Sequence, residues 1–149
     1  NFLLQTEHGP MGGDEINFNR VNENQNIPNF GWPISSYGIE YSGKDPFKKS
    51  HKDYGFIEPI KNFTPSIGIS EITFIKNNEN KYLNNSLVVS SLRAASIYIL
   101  KLNNNQSKII SEDRIYFKNQ RLRDIAFDKD NNILIIMFEQ IPSIGVIKF

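Results

Sequence analysis

The chain's 149 residues are 39% hydrophobic, 22% charged and 12% aromatic, the make-up of one ordinary folding domain, which excludes intrinsic disorder. Seventeen Lys and Arg against 16 Asp and Glu leave a formal charge of +1, without the basic surplus that phosphate backbones demand, so no nucleic-acid partner is expected. Cysteine is absent, which removes thiolate metal sites, disulfides and cysteine nucleophiles together, and no apolar run reaches the roughly 20 residues of a membrane span.

The opening residues, Asn1-Phe2-Leu3-Leu4-Gln5, lack the basic and apolar regions of a signal peptide, and a start at Asn1 reads as a processed chain or a piece of a longer one. From Glu7 to about Pro65 the sequence is rich in Gly, Pro, Asn and aromatics, with turn dipeptides at Gly9-Pro10, Gly12-Gly13, Ile27-Pro28 and Trp32-Pro33. No period of 3.6 or 2 is sustained there, so this part reads as mostly loop. A loop segment that long is expected to carry function. From Ser66 onward short β-branched runs alternate with polar turns: 67–75, 87–90, 97–102, 109–110, 114–117, 124–128, 133–138 and 144–149. The asparagine-rich breaks at 77–80, 103–105 and 128–132 suit hairpin tips, because Asn and Asp bond their own backbone and tolerate the left-handed region. No segment reads as an amphipathic helix. The pattern predicts antiparallel all-β structure, as a sandwich, a barrel or propeller blades. It divides into a loop-rich segment (1–65), a four-strand group (66–120) and a shorter group (121–149) that lacks a strand or more.

Three segments can carry chemistry. Thr6-Glu7-His8-Gly9-Pro10-Met11-Gly12-Gly13-Asp14-Glu15-Ile16-Asn17 brings oxygen donors and flexible glycines together, which suits Ca²⁺. The same loop can instead use Asp14 and Glu15 to cap backbone amides, with His8 a hydrogen-bonded structural residue. Phe30-Gly31-Trp32-Pro33 with Tyr37 and Tyr41 is either a hydrophobic clasp or a stacking platform for a planar ligand. Arg121 and Arg123 fall on one face of a strand, with Leu122 on the other. Two adjacent guanidiniums call for an anion such as a polycarboxylate or phosphate, or for ion pairing with Asp113 or Asp124. Arg93 can join the same cationic group or cover a hairpin.

Taken in order, Glu7-His8-Gly9-Pro10-x-Gly-Gly-Asp14-Glu15-Ile-Asn, Asn29-Phe30-Gly31-Trp32-Pro33, Ser36-Tyr37-Gly38-x-x-Tyr41, Ser91-Leu92-Arg93 and Arg121-Leu122-Arg123-Asp124 resemble the C-terminal part of the soluble quinoprotein aldose sugar dehydrogenases. This is the glucose/sorbosone dehydrogenase family, and the resemblance runs from Thr6 to Phe149. It implies a six-bladed β-propeller that uses pyrroloquinoline quinone (PQQ) and Ca²⁺ to oxidise the anomeric carbon of aldoses to lactones. Carried over by motif, the carbonyls of Gly9 and Pro10 would bind the Ca²⁺ that polarises the quinone. Glu15 and the Phe30 backbone would bind a second, structural Ca²⁺, Tyr41 would contact PQQ, and Arg93, Arg121 and Arg123 would hold its oxygens.

Arg93 stands where the family often has Lys, and Phe30 where Tyr is more usual. The family's catalytic base is a His upstream of the Glu-His-Gly-Pro loop, to which neither His8 nor His51 corresponds. The resemblance therefore implies a single incomplete propeller domain of about two blades and a fraction of a third, inactive by itself. Its exposed blade edges would favour homo-oligomers, its location would be periplasmic or secreted, and its substrate an aldose, with sugar and electron acceptor undefined. The alternative is a non-catalytic propeller module for sugar binding or assembly, with Ca²⁺ purely structural.

Overall fold

The computed structural model describes residues 1–21 and 27–149, and its regular structure is antiparallel strand apart from one 3-10 turn, Lys52–Tyr54. The chain forms two units, Asn1–Ile67 and Gly68–Phe149.

In the first unit, β1 (Phe2–Glu7), β2 (Asp14–Arg20) and β3 (Lys61–Phe63) form one sheet in the order β1-β2-β3. Within the stretch from Glu7 to about Pro65, read as mostly loop, only β2, β3 and the last residue of β1 are strand, and β1 and β2 pair continuously from Phe2↔Arg20 to Glu7↔Glu15. The strand signal in Asp-Glu-Ile-Asn-Phe-Asn-Arg is hidden because Asp14, Glu15 and Asn17 are buried although polar. A period-2 reading assumes that polar side chains face water, and these do not. Burying a carboxylate demands partners: Asp14 takes them from Gly9 and Ser66, and Glu15 takes His51 from the long segment between β2 and β3.

The second unit follows the alternation closely. A four-stranded meander contains β4 (Ile69–Ile75), β5 (Ser86–Ser91), β6 (Ser96–Leu102) and β7 (Ile109–Tyr116) in chain order. The runs expected at 109–110 and 114–117 are one strand, paired with β6 across the polar residues between them. A three-stranded sheet holds β8 (Leu122–Asp128), β9 (Ile133–Phe138) and β10 (Ser143–Lys148). Asparagine sits at positive φ at Asn77, Asn85 and Asn132, where its short side chain tolerates the left-handed region. At the 128–132 tip, Asp128 Oδ1 accepts from the backbone N–H of Asp130 and Asn131.

The core lies between these two sheets. Ile75, Val88, Ile97 and Ile99 meet Leu122, Ile125, Leu134 and Ile136, with Leu83 completing the cluster. The opposite face of β9 and β10 is also apolar yet exposed, at Ile135, Met137, Ile144 and Val146. A four-stranded meander followed by a second sheet packed on it is the arrangement of successive propeller blades.

Truncation should separate the two faces. Leu134→Ala leaves a cavity in a site with no exposure and is expected to cost about 2–5 kcal/mol in denaturant unfolding. Val146→Ala is expected to stay within about 0.5 kcal/mol of the unaltered chain. Equal losses would place the core elsewhere.

Candidate functional site

β2 delivers Glu15 to the interior directly opposite Glu7 on β1, a like-charge pairing that is unfavourable unless something compensates it. Glu15 is only 4% exposed. Its Oε1 accepts from Nε2 of His51 at 3.0 Å, and Nδ1 of His51 lies 2.6 Å from the Ser35 hydroxyl. Burial pushes the Glu15 carboxyl above its ordinary range; His51 and Asn17 pull it back, and Glu7 pushes it up again. The side-chain amide of Asn17, two residues along β2, is fully buried and makes no hydrogen bond of ordinary geometry. Glu7, Gly9, Glu15 and Phe30 all border a cavity of about 30 Å³, the scale of a single ion or water.

The loop before β2 is closed by glycine. A Cβ on Gly9 would fall 1.9 Å from the Gly12 carbonyl oxygen, so the turn cannot form with any side chain there. Gly13 sits at φ +74 and its N–H donates to the Phe63 carbonyl. Asp14 does act as a cap: its Oδ1 accepts from the Gly9 N–H at 3.1 Å and from the Ser66 hydroxyl at 2.7 Å. Of the two acids in the loop, Asp14 therefore shapes the backbone while Glu15 faces the cavity.

The aromatic segment divides its labour. Tyr37 is the clasp: its ring meets His51 edge-on at 5.0 Å and its hydroxyl donates to Glu58 at 2.6 Å. Trp32 and Tyr41 are exposed, Tyr41 by 81%. With Pro10 and Phe47 they border an apolar cleft of about 510 Å³. The structure thus groups Glu15, Phe30 and Gly9 at one cavity, and Pro10 with Tyr41 at another.

In the second unit, Arg121 and Arg123 flank buried Leu122 as alternation predicts, and Arg123 is the extra residue of a β-bulge against β9. Bulges re-aim side chains. Both guanidiniums pair with one carboxylate, Glu139, which lies 3.4 Å from Nε of Arg121 and also bonds Arg123. The partner expected from sequence, Asp113 or Asp124, is corrected to Glu139: the β8–β9 pairing places it across from Arg121, whose carbonyl accepts from its N–H. Two cations on one anion leave one positive charge uncompensated within the trio. Arg93 is exposed in the turn between β5 and β6.

Sequence reasoning missed His51, Ser35 and Glu139. His51 stands 36 residues from Glu15, so no local spacing links them. Glu7 was within reach, since pairing the two short strands around a Gly-rich loop sets it opposite Glu15. Among the described residues no three His, Asp or Glu side chains converge as a metal cluster, so a cation here depends on carboxylates together with backbone oxygens.

Comparison with known proteins places these features in context. A family model described as glucose/sorbosone dehydrogenase matches residues 1–142. Aldose sugar dehydrogenase YliI of Escherichia coli (strain K12) is 29% identical over 141 residues, covering 93% of this chain and 36% of that protein. An uncharacterized protein of Synechocystis is also 29% identical, over 131 residues, covering 88% of this chain and 30% of its own length. Among solved structures, the apo soluble aldose sugar dehydrogenase of Escherichia coli superposes with a TM-score of 0.78 at 27% identity, over 96% of this chain and 40% of that one. A glucose dehydrogenase gives 0.77 at 26%, over 96% and 39%. The chain spans about a third of the length of the curated relatives it matches.

The Tyr37–Glu58 bond generates a pH prediction. Burial by itself raises the Glu58 carboxyl, but hydrogen bonds from the Lys52 N–H and the Tyr37 hydroxyl outweigh it, and the net shift is downward. A carboxylate lowered on folding adds stability above its unfolded value of about 4.5, and that contribution is lost as pH falls through the lowered value. The urea midpoint should therefore drop between about pH 6 and about pH 3, and drop less in Glu58→Gln. Parallel curves for both proteins would remove Glu58 from the acid response.

Proposed function

Because the chain belongs to the glucose/sorbosone dehydrogenase family, we propose that it is part of a PQQ-dependent aldose sugar dehydrogenase that oxidises the anomeric carbon of a sugar to the lactone. The observation that carries this reading is the ion-sized cavity bordered by Glu7, Gly9, Glu15 and Phe30. Its donors are carboxylate and backbone oxygens, the hard set that Ca²⁺ takes, and a dication offsets the repulsion of two opposed carboxylates. Glu15 and the Phe30 carbonyl would hold the structural Ca²⁺, and the carbonyls of Gly9 and Pro10 a second one.

PQQ, when bound, supplies an electrophilic quinone that accepts hydride. The arginines' part is electrostatic: Arg121, Arg123 and Arg93 would hold the cofactor's carboxylates by forked hydrogen bonds, with Glu139 drawing the first two toward one point. Tyr41, exposed beside Trp32 and Pro10, offers a face for a planar ring. The proton of the sugar hydroxyl needs a base, and His51 cannot be it, being 1% exposed and engaged at both ring nitrogens. On this reading the 149-residue chain alone reduces no dye with aldose, and the remaining polypeptide supplies base and sugar contacts. Family kinship also favours a periplasmic or secreted location, and the open strand β10 with its exposed Ile144 and Val146 favours association of copies.

One observation favours the second reading, a non-catalytic module with structural Ca²⁺ that serves in sugar binding or assembly: the arginine pair already has an anion in Glu139. Two measurements divide the readings. Chelation of a Ca²⁺-loaded sample is expected to lower the thermal midpoint, by up to about 2.7 kcal/mol when free Ca²⁺ had stood a hundredfold above Kd, and Glu15→Gln should abolish that response. An unchanged melt would overturn both. Equilibrium PQQ binding that weakens at least about tenfold in Arg121→Ala, the loss of one charge-assisted bond, supports the dehydrogenase. Calcium dependence with no PQQ uptake supports the module.

A further inference from the structure

The proposed cation cavity leaves one buried constellation without a role. Ser35, His51 and Glu15 form a continuous line, with 2.6 Å between the hydroxyl and Nδ1 and 3.0 Å between Nε2 and the carboxylate. The order resembles a nucleophilic triad, but Ser35 is 2% exposed and no substrate can reach its oxygen. The line ends instead on the carboxylate that borders the ion-sized cavity.

The molecule is built to hold this line still. Gly31 has φ +101, and a Cβ there would fall 2.0 Å from the Ser35 hydroxyl and 2.6 Å from Nδ1 of His51. Glycine at this position is therefore a condition for the contact. The Ser35 N–H donates to the Gly31 carbonyl at 2.9 Å, closing the turn that aims the hydroxyl. The His51 carbonyl accepts from the N–H of both Tyr54 and Phe56, and Tyr37 closes the ring's flank. With the serine hydroxyl donating to Nδ1, the neutral ring carries its proton on Nε2 and donates it to Glu15. One carboxylate oxygen is thereby anchored, which restricts the rotation of the carboxyl group.

We propose that Ser35 and His51 are positioning residues that orient Glu15 for a divalent cation in the Glu7–Gly9–Glu15–Phe30 cavity, and so set the affinity of that site. The inference rests on the calcium reading above. Outer partners that orient a ligating carboxylate are worth about 10–100-fold in metal affinity. His51 contributes orientation only; it contacts neither ion nor substrate.

The chain's single tryptophan, Trp32, borders the same cavity, which gives a local readout. Tb³⁺ added to the full chain and excited through the indole reports occupancy, and displacement by Ca²⁺ gives its Kd. Relative to the unaltered chain, His51→Leu is expected to weaken Ca²⁺ by about 10–100-fold, while His51→Gln, which keeps an N–H donor, should recover most of the loss. Ser35→Ala, which removes one hydroxyl from a residue that also borders the cavity, should weaken it severalfold, so the test survives if His51→Leu fails to fold. Thermal midpoints without cation are measured in parallel, because a purely structural role would lower those and leave Kd alone. Affinities within twofold of the unaltered chain in both His51→Gln and Ser35→Ala, with no gain of Gln over Leu, would overturn the positioning role and leave the calcium site standing. No sensitised emission and no Ca²⁺ effect in the unaltered chain would overturn the calcium reading and the inference together.

Discussion

A carboxylate carried into the interior by a β-strand is the constraint around which the first unit is organised. Removing Glu15 from water costs several kcal/mol unless charge and hydrogen bonds replace the lost hydration. The replacement is drawn from segments far apart in sequence: an imidazole from position 51, a hydroxyl from position 35 that fixes the imidazole, and a glycine at 31 that makes room for both. Much of the irregular chain between β2 and β3 finds its reason here. His51 reaches the carboxylate, and Ser35 reaches His51, from separate turns of that segment. Glu7, paired opposite Glu15, brings a second carboxylate to the border of the same ion-sized space.

The second unit is governed by apolar burial instead. Its two sheets exclude water between β-branched and leucine side chains, and Asn78, Asn103 and Asp128 accept from backbone N–H groups in their own tips, so sheet and turns agree with the sequence. Register shifts interrupt the pairing at Ile69/Glu71, at Lys101/Leu102 and at the start of β8, where Arg123 is the extra residue against β9. There two guanidiniums converge on Glu139 at half-exposed positions. The bulge re-aims Arg123 so that it and Arg121 share one carboxylate.

The two units differ in how far they could be read. β9 was legible to the residue, because Ile133–Phe138 is an unbroken apolar run bounded by Asn131-Asn132 and Glu139. β1 and β2 were not, since Asp14, Glu15 and Asn17 occupy the inward positions that an apolar rule expects to be hydrophobic. Within the aromatic segment, composition left clasp and platform open, and the fold uses both, Tyr37 for the first and Trp32 with Tyr41 exposed for the second.

Composition, turn chemistry and apolar periodicity by themselves determined the all-β class, the meander of the second unit and the ordered motifs that carry the kinship, because these depend on neighbours a few residues apart. Tertiary structure alone decided which acid caps and which faces a cavity, that Glu139 and neither Asp113 nor Asp124 meets the arginines, and that His51 serves Glu15 from 36 residues away. Periodicity reports the environment of a residue on its own strand. The partner of a buried charge is chosen by distance in space, and chain closure over tens of residues leaves no trace in local spacing.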